Sequence, residues 1–237
     1  MWIGGIPFKE KSLMLLAMPM YYHKGVKISW LGHDGFRIQN GETIYIDPFQ
    51  IAGSPPKGDL VLISHEHFDH CSPDDLKKVV GPGTVIIAHH QSHGELSKLK
   101  AKDVKIMKPG DKLKVGKVEV EAVPAYNTNK FREPGKVFHP KEDGKLGFIL
   151  TVNGVRIYHA GDTDHIPEMN DTHPEIALLP ISGTYVMTAQ EAAEAVASIK
   201  PKVVIPMHFG AIVGELKDAE VFKKLVACQV EILAKEG

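Results

Sequence analysis

One stretch of the chain, His65-Glu66-His67-Phe68-Asp69-His70, carries four potential metal ligands, His65, His67, Asp69 and His70. Three imidazoles and a carboxylate crowded together repel when protonated and lose solvation when buried. A divalent cation removes both penalties. The spacing also has geometric sense. In an extended or tightly turning loop His65 and His67 point to one side and grip a first ion, while Asp69 and His70 turn to a second. Nitrogen and oxygen donors of this kind suit zinc. Two ions ~3.5–4 Å apart activate water and stabilise a leaving group together. The chain has 13 histidines, and the scattered ones, His23, His89, His90, His93 and His173, read as ordinary polar or core residues.

The cluster needs a rigid mount, and the sequence predicts one. Asp59 to Ser64 is a continuous apolar run, the mark of a buried strand, and it empties straight into the histidines. Ser72-Pro73-Asp74-Asp75 then opens a helix, with Ser72 as cap and Pro73 in the first turn. Further strands are predicted at Val26–Leu31, Phe36–Gln39, Thr43–Ile46, Thr84–Ala88, Val104–Met107, Leu113–Val123, Phe148–Val152, Val155–His159, Glu175–Leu179 and Val203–Ile205. Helices are predicted over Gln91–Lys100, from the capping box at Thr188-Ala189-Gln190-Glu191 to Pro201, and over Asp218–Ala234. Tyr126–Lys145 reads as a long polar loop of the functional kind.

The hairpin with Gly35-Phe36, Asn40-Gly41 and Ile44-Tyr45 is echoed by Gly147-Phe148, Asn153-Gly154 and Ile157-Tyr158, and a buried strand follows each. Two such halves suggest two packed sheets with helices outside. Chance likeness between two Asn-Gly hairpins is the bland alternative.

The pattern His-x-His-x-Asp-His at 65–70 resembles the signature of the metallo-β-lactamase superfamily. Downstream, Gly161-Asp162 resembles the Gly-Asp whose carboxylate bridges both metals, and Pro206-Met207-His208 resembles the strand-end histidine of the second site. Trp30-Leu31-Gly32-His33 and Ile205-Pro206-Met207-His208-Phe209-Gly210 look closer to the small ascorbate-6-phosphate-lactonase-like branch than to members that hydrolyse antibiotics. The resemblance spans about residues 26–215. It implies an α/β protein, an αβ/βα four-layer sandwich of two mixed sheets with helices outside, with its site at the strand ends.

It also implies a ligand set of His65, His67, Asp69, His70, Asp162 and His208, with Asp69, His70, Asp162 and His208 holding the second ion. Many members place a third first-site histidine where this chain has Asn127, a poor zinc ligand that is expected instead to touch substrate or to stand behind the ligands. His139 is the favoured substitute. The alternatives are a first site that lacks one ligand and a His139 that contacts substrate. His33 sits where a strand turns, either behind the ligands or on the surface. Asp34 shares that turn. Tyr185, in Ser182-Gly183-Thr184-Tyr185, is placed to serve a substrate oxygen.

The expected chemistry is hydrolysis by a metal-activated water, with Asp69 accepting its proton. Two divalent ions are expected: Zn2+, with Mn2+ or Fe2+ as alternatives. The expected substrate is a small anionic ester, lactone or phosphodiester, phosphorylated or carboxylated. The cations Lys130, Arg132, Lys136, Lys141 and Lys145 of the long loop suit such a molecule. A nuclease or phosphodiesterase acting on nucleic acid, and an iron-dependent redox enzyme on the same fold, are the competing readings.

Composition bounds these choices. A net charge of −1 argues against a nucleic-acid partner. No apolar run reaches the ~18 residues of a membrane span. Two cysteines, Cys71 and Cys228, make no disulfide framework and fit a cytoplasmic setting. Residues 1–25 read as an N-terminal extension packed on a single domain over 26–237. The run Leu13–Met20 within it loosely imitates a signal sequence but contains Pro19 and lacks a cleavage site. A homo-oligomer is compatible with all of this.

Overall fold

The computed structural model describes residues 20–237. The expectations for residues 1–19, including most of the run Leu13–Met20, lie outside the described residues. Two seven-stranded sheets dominate. The first contains, in spatial and chain order, β1 (Tyr21–His23), β2 (Val26–Gly32), β3 (Gly35–Gln39), β4 (Thr43–Ile46), β5 (Leu60–Ile63), β6 (Val85–Ala88) and β7 (Asp103–Ile106). Since β1 pairs with β2, this sheet begins before Val26, inside the segment read as an extension.

The chain then enters the second sheet through β8 (Lys112–Val115) and β9 (Val118–Pro124), and folds a small separate hairpin, β10 (Phe131–Glu133) and β11 (Lys136–Val137). It returns through β12 (Leu146–Val152), β13 (Val155–His159), β14 (Ile176–Pro180), β15 (Val203–Met207) and β16 (Gln229–Val230). The order across the second sheet is β16-β15-β14-β13-β12-β9-β8.

Alternation along the strands sorts the core into layers. Ile44, Ile46, Leu60, Leu62 and Ile87 face inward, joining Phe148, Leu150 and Ile157 of the second sheet in one large cluster. Their neighbours Tyr45, Val61, Ile63, Ile86 and Ala88 face outward, onto Leu76 and Val79 of α1 (Pro73–Val79) and Leu96 of α2 (His93–Leu96). On the far side, α3 (Ala189–Ile199) packs Ala192, Ala195 and Val196, and α4 (Leu216–Leu225) packs Ala219 and Phe222, into the large cluster. The layers are helix, sheet, sheet, helix: the expected four-layer α/β sandwich.

The echo in the sequence has a structural counterpart. β2-β3-β4 and β9-β12-β13 are antiparallel, and each set continues into parallel strands, β5-β6-β7 and β14-β15-β16. The turn amides Asn40 and Asn153 donate to the carbonyls of Gly25 and Lys24, 2.6 and 2.9 Å away. The two hairpins are thereby tied to one turn.

Three elements differ from expectation. Leu113–Val123 is a hairpin and not a single strand, because Gly116 takes φ +57 and turns the chain between β8 and β9. The helix expected over Gln91–Lys100 shrinks to a 3-10 turn and the single turn of α2. The last helix stops at Leu225, where Val226 turns extended and leads into β16. Among the described residues no helix is long and apolar enough to cross a membrane.

Candidate metal centre

Both sheets aim the C-terminal ends of their parallel strands at one edge of the sandwich, where open α/β sheets place ligands. The β2–β3 turn brings His33 and Asp34, and the loop after β5 brings residues 65–70. The loop after β11 brings His139, while Asp162 and His208 follow β13 and β15. Backbone strain is concentrated here. His33, Asp47, Tyr185 and His208 all hold positive φ, at +53, +42, +67 and +59, a cost of order 1–3 kcal/mol each that the surrounding fold must offset. Gly161, at φ +63, has no such choice: a Cβ there would lie 2.5 Å from the carbonyl oxygen of Leu146. Its bare backbone lets Asp162 reach the centre.

The Asp162 carboxylate, almost wholly buried, lies between two sets of imidazoles. Its Oδ1 faces His70 Nε2 at 3.3 Å and His208 Nε2 at 3.5 Å. Its Oδ2 faces His139 Nε2 at 3.5 Å and His65 Nε2 at 3.9 Å. His67 Nδ1 lies 3.0 Å from His65 Nε2. One donor atom from each of His65, His67, His139 and Asp162 falls within 4.8 Å of every other, and the same holds for His33, Asp34, His70 and His208. The six ligands implied by resemblance, and His139, thus come together at one place. Asp69 is turned: its Oδ2 lies 3.0 Å from His33 Nε2 and 3.7 Å from His70 Nε2. The additional buried carboxylate beside His70 and His208 is Asp34, 3.7 and 3.8 Å from their Nε2 atoms.

The donor atoms fit cations and little else. His70 Nε2, His139 Nε2, His208 Nε2, Asp162 Oδ1 and both oxygens of Asp34 are buried without a hydrogen-bond partner. Each such atom costs ~1–3 kcal/mol if left unsatisfied, so their concentration in one spot calls for ions. The opposite edges of the rings are held. His70 Nδ1 donates to Asp47 Oδ2 at 2.8 Å, and Asp47 is itself fixed by the backbone N–H and hydroxyl of Ser64 at 2.8 and 2.5 Å. His65 Nδ1 and His208 Nδ1 pair with the hydroxyls of Ser64 and Ser182 at 2.9 and 3.0 Å. Partners of this kind fix the tautomer that leaves the inward nitrogen free to ligate.

Asn127 belongs to this outer layer. Its Oδ1 accepts from His139 Nδ1 at 2.9 Å and from the His139 backbone N–H at 3.0 Å. Its amide donates to the Tyr185 carbonyl at 2.8 Å and to Asp164 at 3.2 Å. The asparagine that stands where a ligand was expected therefore orients His139, the favoured substitute, with its Nε2 towards Asp162. Asp47 is the partner that sequence reasoning missed. Its signals were a place just past the strand end at Ile46 and, in the echo of the two hairpins, a position matching that of Asp162.

Electrostatics divides the rings. Burial opposes charge on all of them. For His65 it prevails, reinforced by His70, and the pKa falls well below the ordinary imidazole value; burial likewise pushes His139 down to about 3. For His70 the carboxylates of Asp162 and Asp47 overcome burial and hold the pKa well above that value, and for His208 those of Asp162 and Asp34 raise it to about 9. Burial raises the pKa of Asp34, whereas His70 and His208 keep Asp162 far below the carboxylate range despite burial. Burial pushes the Cys71 thiol up to about 11, and Cys71 packs under α1 as a small apolar group.

A cleft of about 440 Å3 opens over the cluster, and Phe68, Asp69, Arg132, Phe138, Tyr185 and Ile212 line it together with His67, His139 and Asp162. Of the five loop cations, four are paired with carboxylates: Lys130 to Glu191 at 2.8 Å, Lys136 to Glu133 at 3.0 Å, Lys141 to Glu168 at 2.6 Å and Lys145 to Glu66 at 3.1 Å, with Lys145 Nζ also 3.4 Å from His67 Nε2. Arg132 alone of the five reaches the cleft. It donates to the Phe138 carbonyl at 2.8 Å and stacks over that ring.

A fold of this topology with paired histidine and aspartate clusters at its strand ends defines a class. The family model described as "Beta-lactamase superfamily domain" matches residues 27–208, and the chain belongs to the metallo-β-lactamase superfamily. A metal-dependent hydrolase of Archaeoglobus fulgidus is 34% identical over 85% of this chain and 90% of its own. Another, from Pyrococcus furiosus, is 34% identical over 88% and 95%. The crystal structure of a protein of Parabacteroides distasonis, named as a metal-dependent hydrolase, is 34% identical, covers 91% of this chain and 98% of that one, and superposes with a TM-score of 0.75. Within the superfamily the chain falls among the metal-dependent hydrolases.

Proposed function

We propose that the protein hydrolyses a small ester, lactone or phosphodiester that carries an apolar group and one anionic group, using two zinc ions, in a reducing, cytoplasmic setting. One observation carries this reading: the two oxygens of Asp162 face two separate sets of imidazoles at the floor of a cleft with aromatic walls and one guanidinium. His65, His67, His139 and Asp162 would hold a first ion, and His70, His208 and Asp162 a second. Such ions supply Lewis acidity and lower the pKa of a captured water towards ~7.

The remaining work falls to side chains of this chain. Asp69, open to the cleft and fixed by its hydrogen bond to His33, orients the attacking water and accepts its proton. Burial alone would raise its pKa, but that hydrogen bond together with the charges of His70 and His33 brings it down to about 2, so the carboxylate is ionised at neutral pH. Arg132 binds the anionic group, and Phe68, Phe138, Tyr185 and Ile212 hold the apolar part and exclude water. Pairing of its four lysines leaves the loop beside the cleft with one free cation for a nucleic-acid backbone, which disfavours the nuclease reading.

The test is a panel of aryl and alkyl phosphodiesters, lactones and carboxylate esters, assayed after metal removal and reloading with zinc. Zinc-restored hydrolysis of an anionic member is expected. His67→Ala should abolish it with the fold retained by circular dichroism. Arg132→Gln should raise KM about tenfold, the effect of losing one charge-assisted contact of ~1.4 kcal/mol, and leave uncharged analogues unaffected. Hydrolysis unchanged in His67→Ala would overturn the mechanism.

A further inference from the structure

We infer that Lys145, standing behind His67, holds down the affinity of the His65–His67–His139 set for its ion. The inference rests on the ligand reading above and concerns how that set is tuned, whatever the substrate. Four of the five imidazoles around Asp162 have oxygen partners at the edge turned away from it: Asp47 for His70, Ser64 for His65, Ser182 for His208 and Asn127 for His139. His67 is the exception. Its Nδ1 is turned towards His65 Nε2 at 3.0 Å, and its Nε2 faces Lys145 Nζ at 3.4 Å. The nearest carboxylate oxygen, Glu66 Oε1, stands 3.8 Å from that Nε2, beyond hydrogen-bond reach. A neutral ring that ligates through Nδ1 keeps its proton on Nε2. An acceptor at that edge would strengthen the ring as a ligand. An ammonium group has no acceptor to offer, so donor meets donor and the positive charge works against ligation.

The fold builds this contact. Lys145 directly precedes β12, and its side chain is almost wholly buried. Its carbonyl accepts from the Ala125 N–H at 3.0 Å, and the next residue, Leu146, donates to the Ser64 carbonyl at 3.1 Å. The backbone thus seats Lys145 alongside the start of the ligand loop. Glu66 Oε1 accepts from Nζ at 3.1 Å, and Glu66 Oε2 lies 3.6 Å from His89 Nδ1. This pairing makes the buried cation tolerable and keeps Nζ against His67. The charge reaches the whole set. Burial lowers the pKa of His65, His67 and His139, and Lys145 pushes each further the same way, outweighing Glu66 at His67. A cation that disfavours a single charge on these rings disfavours a divalent ion among them more strongly. A weaker His67 in turn leaves more positive charge for a substrate oxygen in the cleft that this ring borders.

The test is competitive zinc titration on wild type, Lys145→Met, Glu66→Gln and His139→Ala, with circular dichroism as the check on folding. The affinity that disappears in His139→Ala identifies the first set. In Lys145→Met that affinity should rise about tenfold or more, the order that partners of ligating imidazoles contribute. Glu66→Gln leaves the ammonium uncompensated and should lower it. The His70–His208 affinity should match wild type in both. A residue that only braced the loop would weaken binding when replaced. An unchanged or lower first-set affinity in Lys145→Met, or a raised one in Glu66→Gln, would therefore overturn the inference. Two ions retained by His139→Ala would overturn the ligand reading itself, and the inference with it. Nitrogen-15 NMR of zinc-loaded wild type gives an answer independent of variant folding. His67 should coordinate through Nδ1 and carry its proton on Nε2, and coordination through Nε2 would refute the opposed contact with Lys145.

Discussion

Replacing Asn127 by alanine removes the acceptor that fixes His139. In the intact protein Asn127 Oδ1 accepts from both the ring and the backbone N–H of His139, which commits the ring to the tautomer with a bare Nε2. Without it, the ring must be ordered by the ion itself. Loss of an outer-layer partner costs ~10–100-fold in metal affinity, or ~1.4–2.7 kcal/mol. The same change leaves the buried His139 N–H and Tyr185 carbonyl without partners, so the metal-free fold should lose a further ~2 kcal/mol or so.

The assay is zinc titration against a chromophoric chelator, read for both sites, with urea unfolding of the metal-free proteins alongside. The affinity of the His65–His67–His139 site should drop, and the His70–His208 site should keep its own. His139→Ala should lose the His65–His67–His139 site outright. An Asn127→Ala protein that binds both ions as wild type does would show that His139 needs no orientation from this residue.

Two further outcomes follow from neighbouring features. Gly161→Ala puts a methyl group against the Leu146 carbonyl at φ +63 and should cost about 2 kcal/mol or more in urea unfolding; an unchanged midpoint would refute the close-approach argument. Glu191 accepts from Lys130, Asn129 and the Thr188 N–H, tying the loop beside Asn127 to α3. Burial alone would raise its pKa, but these contacts bring it to about 2. Its folded value lies below the unfolded one, so its stabilising contribution is full above ~4.3 and disappears as pH falls towards 2. Glu191→Gln should therefore be less stable than wild type at pH 7, with the gap closing near pH 2; a gap independent of pH would refute the ion-pair account.

What the sequence made legible was local. The residues 65–70, Asp162 and His208 each sit just past a strand that announces itself by its apolar run, and resemblance supplied their order. The two halves were visible in the paired Asn-Gly hairpins. What escaped depended on contacts between distant segments. Asp34 looked like a mere neighbour of His33, because nothing adjacent in the chain indicates that a carboxylate at that turn is buried between His70 and His208. Asn127 was placed around the ligands or against substrate, but nothing in the sequence showed that its amide holds His139 twelve positions further on. The β8–β9 hairpin hid inside a run of alternating residues because one glycine, Gly116, reverses it. The segment after Leu225 kept enough apolar residues, Val226, Val230, Ile232 and Leu233, to pass for helix, although their burial follows β16 and the closing strand-like stretch.

The donors are divided across the sandwich: His65, His67 and His70 arrive from the first sheet, Asp162 and His208 from the second, and His139 from the loop between the small β10–β11 hairpin and β12. An ion held in either set would consequently act as a rivet across the open end of the sandwich, while the asparagine turns close the other end. Occupancy at a thousand times the dissociation constant adds ~4 kcal/mol to folding. Heat resistance and protease resistance should thus track the metal supply of the growth medium, and chelation should first loosen the mouth of the cleft, where amide hydrogen exchange would register the loss before the sheets themselves open.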